Sequence, residues 1–161
     1  MTEIPQPSET VGQGGDLDSG IVTALHAAGA RYTIGLDTRD VDLFLTAFTA
    51  TARMSVEAEP DGPVASSVRN GHAELAHLPI GLKRFARTHH MLGQHHFWLG
   101  ADGPQGSVYC TARHLTRGPD RSTDLAMFIR YLDRYALAGD GRWLIASRRV
   151  VIDWTELHEV R

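Results

Sequence analysis

The stretch THHMLGQHHFWLGADGPQGSVYCTARH, residues 88–114, decides the fold class of this chain. Residues 88–99 and 106–116 are two strand-like runs, and the turn sequence GADGPQG separates them. Two more strand-like runs follow at 124–138 and 142–154, connected by TRGPDRS and AGDGR. Connections of this length, rich in Gly, Pro and Asp, are typical of β-hairpins. The second half is therefore predicted to form four consecutive antiparallel strands.

The first half has a helical pattern. Apolar residues recur at helical spacing from Ser19 to Leu36, after Asp18 or Ser19 as an N-cap. The elements predicted after this helix are a second helix (Arg39 to about Phe48), a strand (52–58), a turn-rich loop (59–71) and a third helix from about Gly71, interrupted at Pro79. Helices followed by strands predict an α+β domain, with the helices on one face of a curved antiparallel sheet. Such a sheet encloses an apolar pocket suited to a small ligand.

Composition limits the classes of function. The chain has 161 residues, 42% hydrophobic and 22% charged, which indicates one globular domain over residues 18–161 after a flexible segment, residues 1–17. A net charge of −3 gives no electrostatic case for nucleic acid or membrane binding. No apolar run is long enough to span a bilayer, and the start lacks a secretory signal, so the cytoplasm is the expected compartment. The single cysteine, Cys110, excludes an intramolecular disulfide and a cysteine-rich zinc site.

Four of the nine histidines lie between residues 88 and 96. Because side chains alternate along a strand, one face of this strand is predicted to carry His90, Leu92, Gln94, His96 and Trp98. His90 and His96 are then about 20 Å apart, too far to bind one metal ion. We therefore predict neither a metal nor a cofactor. Two interpretations of the histidines remain open, namely an acid–base group in an apolar pocket and ordinary surface or core residues.

Three stretches together resemble the SnoaL-like branch of the NTF2-like superfamily. They are RYTIGLDTRDVDLFLTAFT (31–49), RTHHMLGQH (87–95) and GDGRWLIASRRVVIDW (139–154). This branch includes scytalone dehydratase, bile-acid 7α-dehydratase and, more distantly, steroid Δ5-isomerase. The resemblance extends from about Asp18 to Trp154. It implies an NTF2-like cone, in which a strongly curved, mostly antiparallel sheet wraps around about three N-terminal helices and a deep apolar pocket.

The resemblance also implies catalytic residues. The dehydratases place a catalytic histidine in a Thr/Ser-x-His segment, which His90 matches. They carry a tyrosine on the first helix, here Tyr32, which would hydrogen-bond a substrate carbonyl. The bile-acid enzyme has an aspartate five residues later, here Asp37, which would orient the histidine. Tyr32 and Asp37 point in different directions on an ideal helix, so they converge on one ligand only if the helix ends between them.

The sequence departs from the two dehydratases at two positions. Cys110 replaces the second pocket histidine of scytalone dehydratase, and Ile152 replaces an arginine of the bile-acid enzyme. His114 shares a strand face with Cys110 and could compensate, although about 13 Å of strand separates them and we expect it nearer the rim. Cys110 is predicted to be a small apolar wall residue. Gln94 and Trp98, on the predicted His90 face, would add a polar contact and a flat wall.

Two functions of different class follow from these observations. The first is a cofactor-free lyase or isomerase that uses His90, Asp37 and Tyr32 to move protons on a hydrophobic, oxygenated small molecule of the polyketide, steroid or terpenoid type. The second is a non-catalytic ligand-binding protein, or a partner subunit resembling the small subunit of ring-hydroxylating dioxygenases. The resemblance also implies a homodimer or homotrimer.

Overall fold

The computed structural model describes residues 15–58 and 62–160. In this part of the chain the helices are α1 (Ser19–Thr38), α2 (Val41–Leu45), α3 (Gly71–Leu75) and α4 (His77–Gly81), followed by a 3₁₀ helix (Leu82–Arg84). The strands are β1 (Phe48–Glu57), β2 (Ser67–Asn70), β3 (Arg87–Gly100), β4 (Gly103–Arg117), β5 (Ser122–Leu137) and β6 (Trp143–Val160). The predicted α+β cone is confirmed.

The six strands form one curved sheet in the order β2-β1-β6-β5-β4-β3. Only the pairing of β1 with β6 is parallel, and β3 to β6 form a meander of three antiparallel hairpins. The predicted strands 88–99, 106–116, 124–138 and 142–154 correspond to these last four strands. The strands were predictable because each is a run of fourteen or more residues and turn sequences separate these runs.

Several features of the first half differ from the prediction. The third helix is interrupted at Ala76, between α3 and α4, and the predicted break at Pro79 falls inside α4. The second helix is limited to Val41–Leu45, because Asp40 is its N-cap and Phe48 already belongs to β1. The strand predicted at 52–58 begins four residues earlier. The predicted loop 59–71 contains β2, a four-residue strand that pairs with β1 at the edge of the sheet. Such a short strand has too few residues to show an alternating pattern.

Helix α1 packs across the concave face of the sheet. The carboxylate of Asp18 accepts a hydrogen bond from the backbone N–H of Gly20 at 2.7 Å, which confirms the predicted N-cap. Gly35 lies where α2 crosses α1, and a Cβ there would be 2.6 Å from the backbone nitrogen of Phe44. The helix ends at Thr38 because Arg39 adopts a left-handed backbone conformation with φ 61°.

The core lies between the helices and the inner face of the sheet, whereas the outer face exposes several large apolar side chains. Phe128 and Trp154 stack there with ring centroids 4.2 Å apart. No helix within residues 15–58 and 62–160 is long and apolar enough to cross a membrane. Residues 1–14 of the predicted flexible segment lie outside the described residues, while Gly15 pairs with Leu99 and Leu17 packs against the core.

Candidate active site

The ring of His90 is held in place by the carboxylate of Asp37. Nδ1 of His90 lies 2.7 Å from Oδ1 of Asp37, and the backbone N–H of His90 donates to Oδ2 at 2.8 Å. Oγ1 of Thr88 donates to Oδ1 of Asp37 at 2.8 Å. The side chain of His90 is only 6% exposed. Because Nδ1 is bound to the carboxylate, Nε2 is the ring nitrogen left for the interior of the cone.

The carboxylate of Asp37 remains ionised over the physiological pH range. Burial alone would raise its pKa, but the hydrogen bonds from His90 and Thr88 outweigh burial and lower the pKa from 3.8 to about 2. An ionised carboxylate can only accept hydrogen bonds, so the proton between the two side chains resides on Nδ1 of His90. The neutral ring therefore carries its lone pair on Nε2, which is the form that a general base requires.

Arg39 holds the groups around this pair in place, a role that the sequence pattern did not predict. Its Nη1 donates to the backbone oxygen of Asp37 at 2.5 Å and to Oγ1 of Thr88 at 2.6 Å. Its Nη2 donates to the backbone oxygen of Leu82 at 3.2 Å. One guanidinium thus connects the end of α1, the start of β3 and the 3₁₀ helix. The sequence LDTRD, residues 36–40, places Arg39 two residues after Asp37, but it does not indicate the distant groups that Arg39 binds.

Tyr32 and Asp37 do not converge in the manner predicted. A helix end between them was the condition for convergence, and it is not met, because α1 continues to Thr38. Tyr32 lines the cavity, whereas Asp37 binds Nδ1 of His90 and is not among the residues that line the cavity. The two side chains therefore contact different parts of the site, with the imidazole of His90 between the carboxylate and the cavity.

A cavity of about 450 Å³ lies between α1, the 3₁₀ helix and the concave face of the sheet. Tyr32, His90, His114 and Tyr131 contribute polar groups to its wall, and most other lining side chains are apolar. A volume of this size is typical of sites for small organic ligands.

His114 lies beside His90 and not at the rim, which corrects our expectation. In the antiparallel pairing of β3 with β4, His114 is opposite Thr88, so it is the diagonal neighbour of His90 on the inner face. The two ring centroids are 5.3 Å apart, and His114 is only 3% exposed. Burial, followed by the nearby His90, lowers the pKa of His114 to about 4, so its ring is neutral at pH 7. Its Nδ1 has no hydrogen-bond partner among the described residues.

The ring of Tyr32 packs against a buried cation, Arg148, which the sequence pattern did not predict as part of the site. The guanidinium of Arg148 lies 4.3 Å from the ring centroid of Tyr32 and 4.2 Å from that of Tyr131. Burial raises the pKa of Tyr32 to about 12, although Arg148 acts in the opposite direction, so the phenol keeps its proton. Strand alternation contained the signal for Arg148, because it shares the inward face of β6 with Val150 and Ile152.

Gln94 and Trp98 do not lie on the His90 face, which corrects the predicted alternation. The pairing of β3 with β4 shifts register between Leu92 and His95, and this irregularity reverses the faces beyond it. Trp98 stacks on His96 with ring centroids 5.4 Å apart, opposite outward-facing residues of β4. Gln94 borders a depression on the outer face of the sheet. Neither side chain lines the cavity, so neither is positioned to bind a ligand there.

Cys110 and Ile152, the two departures from the dehydratase pattern, are both buried. Cys110 belongs to the hydrophobic core and is not among the residues that line the cavity, which corrects its predicted place in the cavity wall. Burial raises the pKa of its thiol to about 11, so the group is not a thiolate nucleophile. Ile152 lines the cavity, where the arginine of the bile-acid enzyme would introduce a charge.

Possible metal ligands are dispersed over the described part of the chain. Within residues 15–58 and 62–160, no three His, Cys, Asp or Glu side chains come together as a metal site would require. The histidines His26 and His95 form an isolated pair, with ring nitrogens 3.0 Å apart.

The comparisons with known proteins agree with this architecture. The family model described as the SnoaL-like domain matches residues 21–149. No curated protein matches the chain. A putative scytalone dehydratase from Novosphingobium aromaticivorans has a similar structure, with a TM-score of 0.68 and 17% sequence identity over 88% of this chain and 90% of that one.

Two other solved structures are also similar. A type 2 hexachlorocyclohexane dehydrochlorinase has a TM-score of 0.68 and 14% identity, over 86% of this chain and 89% of that one. The β subunit of a putative aromatic-ring-hydroxylating dioxygenase from N. aromaticivorans has a TM-score of 0.60 and 22% identity, over 85% and 93% of the two chains. At these identities the structural similarity demonstrates a shared fold, which enzymes and an oxygenase subunit have in common.

Proposed function

We propose that this chain, which belongs to the SnoaL-like domain family, is a cofactor-free lyase or isomerase that moves protons on a hydrophobic, oxygenated small molecule. The observation that carries the proposal is the pair of His90 and Asp37 at the wall of a largely apolar cavity. A buried imidazole held by an ionised carboxylate is suited to accept a proton from carbon near neutral pH.

In the proposed reaction, Nε2 of His90 takes a proton from a carbon next to a substrate carbonyl. The electrons of the broken C–H bond form a carbon–carbon double bond, and those of the carbonyl π bond move to its oxygen as an enolate. Asp37 stabilises the resulting imidazolium, and the protonated phenol of Tyr32 donates a hydrogen bond to the enolate oxygen. When the carbonyl re-forms in a dehydration, the electrons of the enolate form a double bond to the β-carbon, whose C–O bond breaks as His90 protonates the leaving hydroxyl, which departs as water. In an isomerisation, the electrons of a conjugated dienolate take the proton from His90 at a different carbon, which shifts the double bond.

His114 has a separate part in this proposal. Because its pKa of about 4 keeps the ring neutral, it can donate one hydrogen bond and accept another without a charge of its own. Leaving a buried polar group without a partner costs about 1–3 kcal/mol, which a substrate hydroxyl could recover. We therefore assign His114 to binding the substrate oxygen, a role that Cys110 cannot fill from the core.

The experiment measures exchange of α-protons with D₂O in a panel of polycyclic hydroxyketones, followed by proton NMR. Such exchange reports proton abstraction whichever product the enzyme forms. Replacing His90 by glutamine should reduce the exchange rate about 10²- to 10⁴-fold, the usual contribution of a general base. His89→Gln is the matched control, because His89 is exposed on the other face of β3. Exchange that is equally fast in His90→Gln and the control would refute the proposal.

The alternative function is non-catalytic, as a ligand-binding protein or as a partner of a larger subunit. It is supported by the loss of two polar groups from the dehydratase pattern, at Cys110 and Ile152. It also draws on the similarity of fold to a dioxygenase β subunit. Under this alternative, the same ketones bind in the cavity but their α-protons do not exchange faster than in buffer. The exchange experiment therefore separates the two functions.

A further inference from the structure

The cation Arg84 borders the cavity. Its side chain lies at the end of the 3₁₀ helix, and its guanidinium carbon is 4.8 Å from the ring centroid of Phe85. The ring of Phe85 is 4.8 Å from that of His114, which in turn lies 5.3 Å from that of His90. A continuous row of ring contacts, edge-to-face between Phe85, His114 and His90, therefore leads from Arg84 to the proposed base.

The charge of Arg84 is not compensated inside the cavity. Among the described residues that line it, Arg84 is the only Lys or Arg, and none is Asp or Glu. Within residues 15–58 and 62–160, no carboxylate forms an ion pair with Arg84. The buried Arg148, which does not line the cavity, is instead paired with Asp133 at 2.6 Å. The charge of Asp37 is engaged by hydrogen bonds from His90 and Thr88.

The position of Arg84 also defines which end of a ligand it contacts. Arg84 is exposed to solvent, whereas His90 is buried, so the guanidinium lies at the mouth of the cavity and the base lies deeper. A ligand that spans both would keep its charged end in contact with water. Its carbon skeleton would contact the apolar walls formed by residues such as Met54, Leu125 and Ile152.

We propose that the substrate is a hydrophobic carboxylic acid, whose carboxylate pairs with Arg84 at the mouth while its skeleton fills the cavity. A planar guanidinium matches a carboxylate with two parallel hydrogen bonds. One cation suits one negative charge, whereas a phosphate monoester carries up to two and is usually bound by several donors. The proposal specifies the substrate class for the proposed function and relies on it only for the choice of cavity.

The test compares 1-pyrenebutyrate with its neutral amide, 1-pyrenebutyramide, by fluorescence titration. These probes have the same skeleton and differ in charge. The wild-type protein should bind the carboxylate about tenfold more tightly than the amide, as a charge-assisted hydrogen bond at a partly solvated site contributes. Arg84→Gln should abolish this preference and leave the affinity for the amide unchanged. The preference should also weaken as ionic strength rises.

Two further variants make the result specific. Lys83→Gln removes the neighbouring exposed cation, which does not line the cavity, and should retain the tenfold preference. His90→Gln should also retain it, because the preference depends on binding at Arg84 and not on proton transfer. Failure of the exchange experiment and failure of this one are therefore distinguishable. Equal binding of the two probes to wild type, binding of neither, or a preference that survives in Arg84→Gln would overturn the proposal.

Discussion

Replacing Asp133 by asparagine should destabilise the protein severely, because it would leave the guanidinium of Arg148 buried without a counter-charge. The two side chains are 0% and 1% exposed. Arg148 donates from Nε to Oδ1 of Asp133 at 2.8 Å and from Nη2 to Oδ2 at 2.6 Å. Asparagine preserves the size of the side chain but removes the negative charge and one acceptor.

The magnitude follows from the burial of both partners. Removing one partner of a fully buried ion pair typically costs about 3–5 kcal/mol. In a chain of this size each kcal/mol lowers the melting temperature by about 2–4 °C, so the expected fall is about 6–20 °C. Urea unfolding followed by tryptophan fluorescence measures the free energy of unfolding, and a thermal melt measures the melting temperature.

Two variants control this prediction. Glu159→Gln breaks the solvent-exposed ion pair with Arg121 and should cost at most about 1 kcal/mol. The double variant Asp133→Leu with Arg148→Met should be more stable than Asp133→Asn, since it leaves no unpaired charge in the core. The reasoning is refuted if Asp133→Asn is no more destabilising than Glu159→Gln, or if the double variant is the least stable of the three.

Three other predictions concern the helices and the site. Gly35→Ala should lower the free energy of unfolding by about 1–3 kcal/mol in urea titrations, because the new methyl group collides with the backbone of Phe44. A variant as stable as the wild type would contradict this packing. The depressed pKa of Asp37 stabilises the fold above pH 3.8, and this stabilisation should disappear as pH falls towards 2. In thermal melts, Asp37→Asn should therefore lose less stability than the wild type over that pH interval. Tyr32→Phe should slow α-proton exchange about 10²- to 10³-fold with little change in ligand affinity, and an unchanged rate would remove Tyr32 from the mechanism.

The sequence predicted those parts of the fold that depend on local periodicity. Helix α1 and strands β3 to β6 extend over ten or more residues each, so their patterns were clear. Strand β2 was missed because its four residues are too few to show a pattern and are ordered by pairing with β1. The register shift after Leu92 likewise depends on pairing with β4, and it moved Gln94 and Trp98 to the outer face.

Only those residues of the candidate site that belong to family motifs were predicted from the sequence. The resemblance brought His90, Asp37 and Tyr32 together, and the structure shows the contact of the first two directly. The position of His114 beside His90 was not predicted, because the sequence does not specify which residue of β3 lies opposite His114. Arg39 was missed for a related reason, since its hydrogen-bond acceptors come from three separate elements.

The position of the proton on His90 tests the central claim most directly. Long-range ¹H–¹⁵N NMR of the histidine-labelled protein distinguishes a protonated ring nitrogen from one with a free lone pair. The account predicts that neutral His90 carries its proton on Nδ1, towards Asp37, and that this preference weakens in Asp37→Asn. A neutral ring with its proton on Nε2 in the wild-type protein would leave no base facing the cavity and would contradict the account.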